Sequence, residues 1–166
     1  MKIFKEEQRF NQLWLIILIL FSAIVPISIY IKEYIESPES FTYIEVIGFI
    51  FLILLGSSII FVFKLTTRID ETGIHYKFFP FHWSFKVIKW KDIQNVYVRS
   101  YDALGEYGGW GLKGGAFWNK SKGKAINVSG DIGIQLILKN KKKLLIGTQK
   151  QNDVKNVLAS YNNKIN

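Results

Sequence analysis

The residues of this chain whose spacing most suggests chemistry are Gly109, Gly111 and Gly114, which stand as G-x-G-x-x-G inside EYGGWGLKGG at 106–115. Glycines so spaced cradle a pyrophosphate when a strand leads in and a helix follows directly, because the helix N-terminus supplies the binding amides. The residues that follow here, AFWNKSKG, have no helical periodicity and read as a strand and a turn. A Walker loop needs G-x-x-x-x-G-K-[ST] and a protein kinase needs V-A-I-K and H-R-D, none of which the chain contains. What is left is a turn region with five glycines around Trp110. That ring either closes one end of a β-structure, the simpler reading, or stands out as an anchor for a partner or the bilayer interface. Trp110, Lys113, Gly109 and Gly111 are the candidate binding residues, with Lys120, Lys122 and Lys124 just beyond, able with Lys113 to gather phosphates or acidic side chains.

Other reactive constellations are sparse. The chain has no cysteine, which excludes disulfides and thiolate metal sites, and His75 and His82 stand seven apart without a carboxylate at ligand spacing. No metal or cofactor is expected. The acidic residues beyond position 64 are scattered and form no identifiable acid/base pair, and Ser129-Gly130-Asp131 lacks a nucleophile elbow. An enzyme reading has no team of residues to carry it.

The elements that position these residues fall in two texturally different parts. The runs LWLIILILFSAIVPISIYI (13–31) and VIGFIFLILLGSSIIFVF (46–63) carry no charge, and each is near the roughly 18 to 20 apolar residues that cross about 30 Å of hydrocarbon. Two transmembrane helices are predicted; the first run is too long for a signal-peptide core and no small-x-small cleavage site follows it. Lys2, Lys5 and Arg9 precede the pair and Lys64 and Arg68 follow it, whereas the connecting segment at 32–45 has one Lys against four Glu, so both termini are expected in the cytoplasm. Ser22-Ala23 and Gly56-Ser57-Ser58 fall at similar depth and would allow close packing of a hairpin. Residues 1–63 thus form an N-terminal segment and membrane hairpin, and residues 64–166 a cytoplasmic domain.

In that domain, strands are predicted at about 65–70, 74–79, 85–88, 95–101, 116–119, 124–128, 132–138 and 143–148, with turns at Glu71-Thr72-Gly73, Ser129-Gly130 and Asn140-Lys141-Lys142. Ile132, Ile134, Leu136 and Leu138 alternate as one buried face. Val154, Val157, Leu158 and Tyr161 recur at helical spacing and predict an amphipathic helix at about 152–162 that covers an open end of the β-structure. The expected class is α+β: a two-helix membrane hairpin, then an antiparallel β-barrel or sandwich closed by a C-terminal helix.

The segments LTTRIDETGIHY at 65–76, WKDI at 90–93, YGGWGLK at 107–113 and LLIGTQ at 144–149 carry a resemblance. Over about 65–161, and in outline over the hairpin, the chain resembles bacterial membrane proteins with a pleckstrin-homology-like (PH-like) domain after two helices, a group of mostly unassigned function. The resemblance implies a PH-like fold at the cytoplasmic face of the bacterial inner membrane. The group more often carries Arg where Lys113 stands, and lysine offers a point charge instead of a bidentate fork. PH domains that bind inositol phosphates carry basic residues around the first hairpin; here that turn, Asp70-Glu71-Thr72-Gly73, has Arg68 alone behind it. Specific phosphoinositide recognition is not expected.

Residues 64–166 hold 18 Lys and Arg against 7 Asp and Glu, a surplus of 11. Tethered at an anionic leaflet, each basic residue near the surface contributes about 1 kcal/mol of attraction. Lys139, Lys141, Lys142 and Lys143 are the densest cluster and the candidate contact for anionic lipid, against the simpler reading of a solvated hairpin turn. The function expected is a non-enzymatic, membrane-anchored binding or scaffold module that meets a protein, a peptide or anionic lipid. The alternatives are a basic β-barrel that binds nucleic acid, for which membrane anchoring argues poorly, and a membrane enzyme. Asp92, in the WKDI turn, is expected to be structural.

Overall fold

The computed structural model of the chain describes residues 2–114 and 120–165. Two compact units result: residues 10–62, and residues 1–9 together with 63–166.

The first unit is a helical hairpin. Helix α1 spans Leu13–Glu36, and α2 spans Tyr43–Ser58 and runs on through one 3₁₀ turn at Ile59–Val62. A capping box starts α2: the Thr42 hydroxyl accepts from the Glu45 amide at 3.4 Å, and the Glu45 carboxylate accepts from the Thr42 amide at 2.8 Å. Tyr30 stacks on Phe49 with ring centroids 4.2 Å apart. Of the small residues predicted to let the helices approach, Ala23 is buried, whereas a Cβ on Gly56 would meet open space. Both helices are long and apolar enough to cross a membrane, and only 11% and 6% of their most apolar windows are buried. A core helix of a soluble domain would be mostly buried.

The second unit contains nine strands among the described residues. One sheet runs β1 (Phe4–Arg9), β2 (Lys64–Ile69), β3 (Gly73–Phe79) and β4 (Lys86–Lys89) in that order, antiparallel throughout. The other has the order β5-β8-β9-β7-β6, from β5 (Ile93–Ser100), β6 (Gly111–Lys113), β7 (Lys124–Asn127), β8 (Ile132–Leu138) and β9 (Lys143–Gly147). The two ladders are not joined among the described residues, so the expected barrel is not closed. Nor is the β-structure wholly antiparallel, because β7 pairs with β9 in parallel through Lys124↔Leu144 and Ile126↔Ile146. The strand expected at 116–119 lies outside the described residues.

A short helix α3 (Ala103–Tyr107) links β5 to β6, and α4 (Gln151–Ser160) packs on β5, β8 and β1. The predicted stripe is the one buried: Val154, Val157, Leu158 and, just past the helix, Tyr161. Tyr161 stacks on Trp90 at 5.2 Å, and the Trp90 indole donates to the Asp70 carbonyl at 2.9 Å, so the WKDI segment ties α4 to the first sheet. Fully buried Leu65, Ile69, Ile74, Ile93, Ile134, Leu136, Leu145 and Ile146 form the core, each worth roughly 1.5–3 kcal/mol of burial.

Strand β1 was not expected from the sequence. Residues 1–9, read as a basic segment leading into the hairpin, instead belong to the β-unit, and the helices are an insertion between β1 and β2. The register Arg9↔Lys64 places the two ends of that insertion side by side. Inward-facing Glu6 and Gln8 lock the strand in place. The Glu6 carboxylate accepts from the Thr148 hydroxyl at 2.6 Å and the Gln149 amide at 2.8 Å, and the Gln8 amide donates to the Gly147 carbonyl at 2.8 Å.

Candidate functional site

The glycine segment is turn chemistry. Asp102 caps α3 by accepting from the Leu104 and Gly105 amides, both at 3.0 Å. Gly108, at φ +72°, ends the helix in a left-handed αL cap: its amide donates to the Leu104 carbonyl, and the Gly109 amide to the Ala103 carbonyl. Gly109 and Gly111 follow at φ +114° and +113°, and the Gly111 amide donates to the Asn127 side chain at 2.9 Å. The order is helix, glycines, strand, the reverse of a phosphate-binding loop. Trp110 is half-buried against Tyr101, Ala103, Tyr107, Ala125 and Leu145, and its indole donates to the Gly130 carbonyl at 3.3 Å. Its ring leans on the core instead of standing clear of it.

The same segment is braced by a group that sequence reading missed. Arg99 donates through Nη1 and Nη2 to both carboxylate oxygens of Glu106 at 2.9 and 2.8 Å, and through Nε to Gln135 at 3.0 Å. This hydrogen-bonded Arg99 is the main cause that holds the Glu106 carboxyl down at about 2, against the opposing effect of burial. The only sequence signal was an arginine seven residues before a glutamate, which strands and helices do not normally bring together. Lys122, expected to gather anions beside Lys113, is instead 3.5 Å from Glu106.

Lys113 does reach a cavity. A space of about 180 Å³ lies among Tyr76, His82 and Lys86 of the first sheet's segments and Leu112, Lys113 and Lys124 of the second's. An adjoining depression of about 500 Å³ is lined by Ser121, Lys124, Lys141, Lys142 and Lys143, and Gly114 and Lys124 border both. Two groups of lysines predicted separately are thus brought to one continuous cleft. Lys139 is not among its lining residues; its amide donates to the Asp92 carbonyl at 3.0 Å, the backbone contact through which Asp92 serves the structure. Gly123 allows the cleft to form, since at φ +82° a Cβ there would stand 2.4 Å from the Lys143 carbonyl oxygen.

Among the described residues, no acidic side chain lines either cavity. Burial, and then the charge of Lys86, hold the His82 imidazole below its ordinary value, and burial raises the Tyr76 phenol. Near neutral pH both are uncharged hydrogen-bonding groups beside a ring of ammonium charge. Such an arrangement suits an anion. Arg68, the basic residue behind the first hairpin turn, is engaged elsewhere: its Nε is 2.9 Å from Asp70, which also lies 3.0 Å from His75. Burial acts to raise the Asp70 carboxyl, but hydrogen bonds from Thr72 and His75 outweigh it and hold the group well below the usual carboxylate range. Among the described residues, no three His, Cys, Asp or Glu side chains gather as metal ligands. Comparisons with family models, with curated proteins and with solved structures return no match to this chain.

Proposed function

We propose that this chain is a non-enzymatic binding module, anchored in the bacterial inner membrane by its two-helix hairpin, with both termini and the β-unit in the cytoplasm. Its basic cleft meets an anionic partner, either an acidic protein segment or an anionic lipid headgroup. The observation that carries the anchoring is the Arg9↔Lys64 pairing. A chain that leaves the β-unit at one of two paired residues and returns at the other must cross a bilayer an even number of times, and two apolar helices supply two crossings. The flanking Lys and Arg favour the cytoplasm for that side. The antiparallel first sheet and the C-terminal helix support the PH-like resemblance; the unclosed sheets and the parallel β7–β9 pair depart from it.

For the cleft, the full chain reconstituted in neutral-lipid nanodiscs is expected to bind a fluorescent oligo-glutamate peptide, with affinity that falls as salt rises. The same preparation should bind vesicles containing phosphatidylglycerol. Replacing Lys113, Lys124 and Lys142 together by Ala is expected to weaken at least one of these about 100-fold, taking roughly 1 kcal/mol for each lost charge near an anionic surface. Unchanged binding of both probes by a folded triple variant would remove the cleft from the reading. Tethering at the membrane raises local concentration, so modest affinity is enough.

A further inference from the structure

We infer that the turn between β3 and β4, residues 80–85, is a lipid-interface anchor that seats in the headgroup zone; this rests on the membrane reading above. The turn reads PFHWSF, with no formally charged residue apart from the titratable His82. Trp83 is 81% exposed and Phe81 59% exposed, and Phe85 is exposed as well. This is a held shape: the His82 amide donates to the Phe78 carbonyl at 2.8 Å, and Trp83 meets Phe79 edge-on at 5.5 Å.

The location identifies the occupant. Lys64 pairs with both Arg9 and Phe79, so the turn lies at the end of the first sheet where the chain departs for the apolar helices and returns from them. Phe63, the residue after Val62 at the end of the second apolar helix, has its ring 5.8 Å from Phe78 and 5.7 Å from Phe81. Phe81 therefore stands one ring away from the residue at which the chain leaves the second apolar helix. Amphipathic tryptophan and exposed phenylalanine at that depth match the aromatic belt of membrane proteins, buried about 5–10 Å at the headgroup boundary. Basic side chains lie at this end of the sheet: Lys86 directly follows the turn, the Lys77 ammonium is 5.8 Å from the Phe85 ring centroid, and Arg9 and Lys64, in register with Phe79, share the Glu7 carboxylate at 3.2 and 3.3 Å, which leaves the end net basic. Anionic headgroups complement that end. His82 and Lys86 also line the cleft, so seating the turn carries one wall of the cleft to the headgroup layer.

The chain has no cysteine, so single cysteines report on single places. The full chain, reconstituted in phosphatidylcholine/phosphatidylglycerol vesicles, would carry an environment-sensitive fluorophore at Ser84→Cys, at Leu20→Cys within α1, or at Glu71→Cys in the turn at the opposite end of the first sheet. Lipids bearing a quencher near the headgroup are expected to quench the Ser84 label severalfold more than the Glu71 label, and lipids quenched deep in the acyl chain to quench only Leu20. A quenched Leu20 with Ser84 no more quenched than Glu71 overturns the anchor and leaves the membrane reading standing. An unquenched Leu20 sinks the membrane reading and the anchor with it.

Discussion

A chain lacking residues 2–9 is expected to lose the folded β-unit. Those residues supply all of β1, whose removal strips β2 of one ladder and leaves its backbone groups at an uncovered edge. The loss reaches the second sheet as well. The Gly147 carbonyl, the Thr148 hydroxyl and the Gln149 amide lose Gln8 and Glu6, and the Tyr161 hydroxyl loses the Lys2 carbonyl. Leaving a buried donor or acceptor unpaired costs about 1–3 kcal/mol each. Two of these bonds, to the Gly147 carbonyl and the Thr148 hydroxyl, are buried and the other two part-buried, so with burial of Phe4 and a six-residue ladder their loss is comparable to the roughly 5–15 kcal/mol that holds a domain folded. The finer variant Glu6→Ala keeps the strand and cuts two of these bonds, and should cost about 2–4 kcal/mol. Near-ultraviolet circular dichroism in detergent is the check. A native spectrum from the truncated chain would make β1 a passive edge strand.

The second large effect is expected at the Arg99–Glu106 pair. Arg99→Ala should destabilise the β-unit by about 3 kcal/mol, because it leaves a mostly buried carboxylate without its bidentate partner. That is roughly 10 °C in melting temperature for a unit of this size. Glu106→Gln tests the same pair through pH. The Glu106 carboxyl titrates near 2 in the folded chain against an ordinary 4.5, so its contribution is complete above about 4.5 and is lost as pH falls toward 2. A shift of that size corresponds to about 3 kcal/mol at most. Thermal unfolding of the wild type should therefore lose stability between pH 4.5 and 2, and Glu106→Gln should start lower and lose less over that window. Asp70, also held below its ordinary range, leaves a residual acid slope in both proteins. Parallel slopes for the two proteins would show that the pair does not act as described.

Much of the architecture was legible because it is written in unbroken patterns. The two uncharged runs became the two apolar helices, longer by one turn or so at their outer ends where Lys32, Glu33 and Glu36 continue α1 in polar sequence. The stripe of Val154, Val157 and Leu158 gave α4 to within two residues, and the alternation over 132–138 gave β8. In β8 the pattern understates burial: Gln135, on the opposite face, is also buried, because β8 lies between β5 and β9 and its amide donates toward the Leu136 and Leu144 carbonyls, both at 3.3 Å.

What was illegible depends on partners distant in the chain. Phe4, Glu6 and Gln8 share the inward face of β1, but two of the three are polar, and nothing local reveals that residues 147–149 satisfy them. The parallel β7–β9 pair requires a crossover that turn residues do not announce. Lys113, Lys124 and Lys141–Lys143 were each visible as basic, yet their union with Tyr76, His82 and Lys86 arises only when two sheets meet. The glycine segment lies between α3 and β6, and the residues after Gly114 on which its reading turned lie outside the described residues. The helix before it was hidden, because ALGEY is too short for periodicity and is held mainly by its caps and by Arg99.

Whether the hairpin that interrupts the β-unit crosses the membrane twice, as proposed, is tested most directly by cysteine labelling of the otherwise cysteine-free chain. Lys5→Cys, Ser40→Cys and Lys155→Cys place single thiols on β1, in the connection between the helices, and on α4. With a membrane-impermeant maleimide on intact spheroplasts, labelling is expected at position 40 alone, with positions 5 and 155 labelled only after permeabilisation. Labelling of 5 and 155 on opposite sides, or of all three in intact spheroplasts, would contradict the double crossing.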